Sequence, residues 1–492
     1  MLHNTCELAK QSRRIVVDEE RISRVVLWIW LRNARQLRQI EVSGQGAMAD
    51  LFLARLVTLN RQTMTSIEDT SPKATEIHRM TFRAMSLCSQ MTQLEPHMIP
   101  ADTKQMLLWW PKINKVTLWS KMLVPADQRL IHIKTFVRFE HLRSIHVNQV
   151  DLDAAKWLFY HFPPRLEEFV FGFRANMSME DVSQGIELMS TIIHQAKMDT
   201  LTELRLDLAN AHRIVGKTDY WKLPNLNWFE LETTGTCEAK SFPILVAPKL
   251  TRLDWRSNVR GYWEAALHSP ELESLVQEPS TMSREKLDPD TKEIPWTKLT
   301  NLNLDDDVSA ELVEAITIRN PSLTKLSVCV QRGDNLDVWH VCRRLPRLEF
   351  LEVVEGISVV RSSKRQIRPK ISTLTLSRLS SLSLVTNMCD QLLMQNLVCP
   401  AVESLSLYLH EATTIQMDDL LARFPSLRGL AIHGRMLASH APSKRTKIQR
   451  LSLRGPVDLQ TMVPWFESCD MVTCSNVQIS PPRADHGADR GR

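Results

Sequence analysis

The chain has 492 residues, 43% hydrophobic and 24% charged, with a net charge of +5 from 61 basic against 56 acidic residues. So small and scattered an excess makes no nucleic-acid footprint, which needs a concentrated basic stripe. The longest obvious apolar run, Val25 to Leu31, is far shorter than the roughly twenty residues of a membrane span, and the first seventeen residues hold no apolar stretch fit for a secretory signal.

From the N-terminus, Ser12 with Ile15 and Val17 predicts a strand, and Leu37 opens a clear one in LRQIEV. Weaker matches follow at Met64 and Met91, then firm ones at Ile113, Leu142 and Leu166. From Leu201 onward one phrase returns: apolar, two variable, apolar, one variable, apolar. It begins at Leu201, Leu226, Leu250, Leu272, Leu299, Leu323, Leu348, Leu379, Val402, Leu427 and Ile448, at intervals of 21 to 31 residues. In LTNLNL, period-two alternation turns Leu299, Leu302 and Leu304 inward and Asn301 and Asn303 outward. A segment of helical character follows, as in Asp307 to Ile318, with Asp307 or Ser309 as its cap. Ser178 to Met198 is a full helix opened by a Ser-x-x-Asp pattern.

Proline closes the unit. Nine prolines (111, 164, 224, 248, 270, 321, 346, 400 and 425) each stand two residues before a strand's first apolar position. Proline cannot continue a helix and costs little at the lead-in to a strand. Glu278 to Pro295 and the basic segment Arg361 to Lys370 read as loops.

Self-similarity at this period predicts an α/β leucine-rich-repeat solenoid, a horseshoe with a concave parallel sheet and helices on its convex side. Residues 1–480 form one solenoid of about eighteen irregular repeats, weak around 50–110, and 481–492 a disordered tail.

Catalytic signatures are missing. There is no Walker A or G-x-G-x-x-G loop, no G-x-S-x-G elbow and no H-E-x-x-H helix. Nine cysteines show no CxxC spacing, so neither zinc nor dithiol chemistry is expected, and reduced buried thiols fit a cytoplasmic or nuclear protein. The expectation is a non-enzyme without cofactor or metal. Trp28, Trp30, Trp109, Trp110, Trp157, Trp263 and Trp339 are expected to pack between repeats, and Trp255 to point inward.

The outward positions give the chemistry of the concave face. Trp119 and His146 come first, then Arg205, Trp228 and Glu230, then Arg252, Asp254 and Arg256; Tyr408, Arg450 and Arg454 come last. Two readings stand side by side: a self-neutralised, solvated sheet, or a site for a protein or peptide, since Trp and Arg on a rigid sheet are what interface hot spots favour.

The irregular unit length, the helix-Pro-strand punctuation and one family-like unit resemble the repeat region of F-box-like proteins, of the ribonuclease-inhibitor-like class common in fungi. In that unit Leu379, Leu382, Leu384 and Asn387 fill L-x-x-L-x-L-x-x-N, and Cys389 and Cys399 are similar to cysteine-bearing repeats. The resemblance implies the substrate-recognition part of a ubiquitin-ligase receptor, joined to a Skp-type adaptor through an F-box. No Leu-Pro-x-Glu F-box phrase is present, and repeat-like strand begins within the first 17 residues. A regulatory or scaffold solenoid with no ligase link is the alternative, a GTPase-activator type ranking below it.

Overall fold

The computed structural model describes residues 9–18, 24–43, 47–69, 84–95, 112–119, 141–160, 162–174, 177–195, 198–208, 220–233, 242–257, 259, 261–278, 286–287, 294–331, 336–355, 374–385, 397–408, 414–433, 435–437, 448–457, 467 and 469–479. The chain packs as two compact units, Met1–Ser269 and Pro270–Arg492. Each is a stack of leucine-rich repeats whose strands pair in parallel.

In the first unit the ladder runs β1 (Arg14–Asp18), β2 (Gln39–Ser43), β3 (Ser66–Asp69), β4 (Gln93–Glu95), β5 (Lys115–Trp119), β6 (Ser144–Val150), β7 (Glu168–Phe173) and β8 (Glu203–Asp207). It continues through β10 (Trp228–Glu232) and β12 (Arg252–Arg256), while β9 (Tyr220–Lys222) and β11 (Ile244–Val246) form a small sheet of their own. Strand-to-strand register stacks equivalent residues. Ile40 aligns with Ile67, Val116 with Ile145, Phe169 with Leu204 and Phe229 with Leu253, and all are buried. The weak repeats at Met64 and Met91 belong to the same ladder, and both methionines are fully buried.

In the second unit the ladder comprises β13 (Ser274–Gln277), β15 (Asn301–Val308), β16 (Lys325–Val330), β17 (Phe350–Glu355), β19 (Ser381–Val385), β21 (Ser404–Tyr408), β23 (Gly429–His433), β25 (Arg450–Val457) and β26 (Met471–Ile479). Leu299, Leu302 and Leu304 are fully buried while Asn301 and Asn303 are half-buried on the other side, as alternation requires. β26 lies beyond the last repeat that the leucine phase marked. Its phase positions are Cys469, Val472 and Cys474, apolar without a leucine, and no proline precedes them.

The prolines act through turns. Leu226 N–H donates to Leu223 O at 3.2 Å, Leu250 to Ala247 at 3.0 Å, Leu323 to Asn320 at 3.2 Å, Val402 to Cys399 at 3.2 Å and Leu427 to Phe424 at 3.1 Å. Each is a four-residue turn with proline in its second place, where a fixed φ near −65° is already the one needed. Just after the turn, a hydroxyl ties repeat to repeat. Thr65, Thr202, Thr251, Thr300, Thr324 and Ser380 each donate from the side chain to a carbonyl of the preceding repeat, at 2.9–3.1 Å.

Helices cover the inward side where the connection is long enough. Met179–His194 is capped by Ser178, whose Oγ accepts from Asp181 N–H at 3.2 Å, and Ala310–Arg319 by Ser309, which accepts from Leu312 N–H at 3.2 Å. Asp307, the other candidate cap, lies in β15 instead. Not every unit has a helix. Ile244–Val246 is bracketed by Pro243 and Pro248, which leave room only for a short strand paired with Tyr220–Lys222. Likewise β18 (Leu374–Thr375) pairs with β20 (Leu397–Val398). The Glu278–Pro295 segment is also not wholly loop: β14 (Lys286–Leu287) pairs with Asp307 and Val308. The Arg361–Lys370 and 481–492 segments lie outside the described residues.

Aromatic rings fill the wider gaps of the first unit. Phe159, Phe169, Phe171 and Phe173 pack with centroids 4.7–6.4 Å apart. A second cluster joins Trp221, Phe229, Phe242 and Trp255 at 4.9–6.0 Å. Trp255 and Trp263 are buried as expected, but Trp28 is 68% exposed. Its helix, Arg24–Asn33, is apolar on every side, so a helix with one covered face must leave some of that surface out.

Two buried asparagines staple neighbouring repeats. Asn320 Oδ1 accepts Leu299 N–H at 2.9 Å, while its Nδ2 donates to Trp296 O at 3.2 Å and Ile316 O at 2.9 Å. Asn60 makes the same set in the first unit, to Leu37 N–H, Ala34 O and Leu56 O, at 3.0, 3.2 and 2.8 Å.

Candidate functional site

The first unit's parallel register turns the outward residues into rows. One row runs Lys115, Ser144, Glu168, Glu203, Trp228, Arg252; the next runs Thr117, His146, Val170, Arg205, Glu230, Asp254. Six of the predicted residues, Arg205, Trp228, Glu230, Arg252, Asp254 and Arg256, therefore meet on three adjacent strands. Each side chain is placed by an inward neighbour locked in the core: Phe229 and Leu231 hold β10, and Leu253 and Trp255 hold β12, all fully buried.

At the centre Trp228 lies between two guanidinium groups. Arg205 Cζ stands 3.7 Å from its ring centroid and Arg252 Cζ 4.3 Å. A cation over an indole face is worth about 0.5–2 kcal/mol, more where water is excluded. The cations are themselves paired. Arg205 Nε meets Glu203 at 2.5 Å and Glu230 at 3.7 Å, Arg252 meets Asp254 at 2.7 Å, and Arg256 meets Glu230 at 3.7 Å. Asp254 is only 1% exposed although it projects from the outward face. The result is a pre-organised patch of alternating charge with an aromatic ring packed against two cations.

The same rows continue to a carboxylate the sequence analysis passed over. Glu168 accepts Ser144 Oγ–H at 2.5 Å and meets His146 Nε2 at 2.7 Å. The hydrogen bond from His146 comes first among the causes that pull its pKa down to about 2, with Ser144 and the charges of His146 and Lys115 assisting against the opposing effect of burial. Applying the strand phase to Leu166 marks Glu168 as outward, so that residue was within reach of the pattern. A folded-state pKa depressed from 4.5 to about 2 contributes stability that is fully present above the unfolded value and is lost as pH falls through that window. Glu168→Gln is expected to lower stability by roughly 1 kcal/mol at pH 7, after discounting for its partial exposure, and to make much less difference near pH 2. Urea titrations at both pH values measure this; an equal loss at both would mean the side chain acts by shape alone.

The remaining predicted residues lie apart from this cluster. Trp119 ends β5 in register with Asn148. In the second unit Tyr408 aligns with His433 and His433 with Arg454, and the two rings stand 5.2 Å apart. Burial, with the charge of Arg454 adding, holds His433 below the ordinary histidine range. Arg450 lies exposed on the same strand as Arg454. Around them the outward positions are small: Ser406, Ala431 and Ser452 form one aligned row.

Elsewhere in the first unit an open depression of about 590 Å³ is lined by Arg143, Glu167, Thr202, Asn227 and Lys249 among others. Its charges are largely engaged, Arg143 with Glu167 at 3.2 Å and Lys249 with Asn225 at 2.7 Å. Among the described residues no group of His, Cys, Asp or Glu is arranged to hold a metal ion. Cys88, Cys342 and Cys399 are buried thiols whose pKa burial pushes up to about 12, far from nucleophilic. Among the described residues no helix is long and apolar enough to cross a membrane.

No family model matches this chain, and no curated protein matches it. Among solved structures it is similar to a chain from the crystal structure of the Rad7 and Elc1 complex in yeast, at 12% identity and a TM-score of 0.30, over 68% of this chain and 74% of that one. Likeness of that degree carries no argument about function.

Proposed function

We propose that this chain is a non-catalytic interaction solenoid that captures a protein or peptide on the outward face of β8, β10 and β12. The observation that carries the proposal is Trp228 clamped between Arg205 and Arg252. An aromatic anchor whose rotamer is fixed before binding loses little entropy on docking, and Trp and Arg dominate interface hot spots. A surface of this kind requires no cofactor.

The finer proposal is that the chain is the substrate-recognition part of an F-box-like ubiquitin-ligase receptor of the cytoplasm or nucleus. The repeat resemblance around Leu379, Leu382 and Leu384 supports it, and a Skp-type adaptor would be the second partner. Affinity capture from native extract with wild type and Trp228→Ala tests both levels. Loss of at least about tenfold in captured partner is expected for Trp228→Ala. Trp28→Ala, on an exposed helical face, is expected to capture as wild type does. The reverse pattern would move the interaction surface to that helix. Co-capture of a Skp-type adaptor supports the ligase role; a partner captured without it favours the scaffold role.

A further inference from the structure

Two polar atoms of the outward network have no hydrogen-bond partner among the described residues, Trp228 Nε1 and Asp254 Oδ1. Both belong to the patch around Arg252. That arginine reaches one carboxylate oxygen only: its Nε lies 2.8 Å and its Nη2 2.7 Å from Asp254 Oδ2. A fork-on-fork pair would engage both oxygens. A carboxylate 1% exposed with one oxygen unanswered is an incompletely satisfied anion, which is costly. The Arg252 side chain, by contrast, is 47% exposed and can swing into solvent.

Removing that one side chain would leave a recess with an indole wall and a buried carboxylate floor. The far side of the indole stays braced by Arg205, which Glu203 and Glu230 hold in place. Aromatic face plus two carboxylate oxygens is the chemistry that recognises a guanidinium. A lysine ammonium is a point charge that neither stacks as well nor bridges both oxygens. The surroundings favour a cation as well, since the nine outward positions of β8, β10 and β12 carry five carboxylates against three guanidiniums, all three of them engaged.

We propose that this face takes an arginine side chain from its protein partner, and that Arg252 is an internal placeholder for it. The incoming guanidinium displaces Arg252, stacks on Trp228 and donates to both Oδ1 and Oδ2 of Asp254. The proposal rests on the outward face being the interaction surface, and adds the chemistry of the residue it selects. It also reverses the sign expected of an ordinary hot-spot arginine: deleting Arg252 improves binding.

The experiment is calorimetric titration of the full chain with an acetylated, amidated ten-residue Gly/Ser peptide carrying one central arginine, beside versions with lysine and with uncharged citrulline. Arg252→Ala is expected to bind the arginine peptide at least about fivefold more tightly than wild type, and isosteric Asp254→Asn at least about tenfold more weakly than Arg252→Ala when placed in that background. Citrulline should abolish binding and lysine weaken it. Melting curves confirm that each variant is folded, and Arg252→Gln replaces Arg252→Ala should the latter melt early. Arg252 variants that bind no tighter than wild type, Asp254→Asn that binds as well as its parent, or no binding of the peptide to any variant each overturn the arginine site. If Trp228→Ala still loses the native partner in any of those cases, the interaction face survives and only the arginine site falls.

Discussion

Leu302→Asp is expected to abolish cooperative unfolding of the Pro270–Arg492 unit. Leu302 is fully buried in an inward row aligned with Leu275, Leu326, Leu351 and Leu382. A carboxylate at that place has no cation or donor row to meet it, and its desolvation costs several kcal/mol on top of the roughly 2–5 kcal/mol lost with the leucine itself. Against a typical total of about 5–15 kcal/mol this is most of the stability of a unit. Leu302→Ala should cost only about 2–5 kcal/mol, and Asn303→Asp, outward on the same strand, should stay within about 0.5 kcal/mol of wild type. Urea unfolding followed by circular dichroism separates the three. A melting temperature for Leu302→Asp equal to that of wild type would mean that β15 faces the other way.

Asn320→Ala ranks next. Its side chain satisfies Leu299 N–H and contributes to Trp296 O and Ile316 O, in a fully buried setting. Deleting it orphans backbone groups at about 1–3 kcal/mol each, so a loss of about 3 kcal/mol or more is expected. Asn320→Asp should be nearly as harmful, because a carboxylate can accept from Leu299 but cannot donate to the two carbonyls. Asn60→Ala should reproduce the loss in the first unit. Hydrogen exchange would show protection falling at Leu299 and Leu37 respectively, and unaltered protection there would remove the staple from the account.

The inward rows and their phase were legible because alternation and proline punctuation repeat so many times that errors at single positions average out. Met64 and Met91 were weak matches to a leucine consensus, yet both fill the inward place, which asks only for an apolar side chain of about the right volume. β26 escaped because its phase positions, Cys469, Val472 and Cys474, hold smaller residues that are half-buried or exposed on the last strand of the ladder, without a proline to announce them. The helix assumed for every unit gave way where Pro243 and Pro248 left too few residues for a turn of helix. At the site, the identities of Arg205, Trp228 and Arg252 were readable, and their adjacency followed from register. Their stacking was not, since it depends on rotamers chosen among competing carboxylates. The asparagine staples were hidden for another reason: an Asn before a turn normally signals a local backbone bond, whereas Asn60 and Asn320 reach across to a preceding repeat.

The stacked rows carry a consequence for how such a chain diversifies. Positions that face water sit between positions that face the core, so a change at one leaves its neighbours' packing intact. A lineage can rewrite the lettering on the outer surface, strand by strand, while the spine beneath keeps its shape.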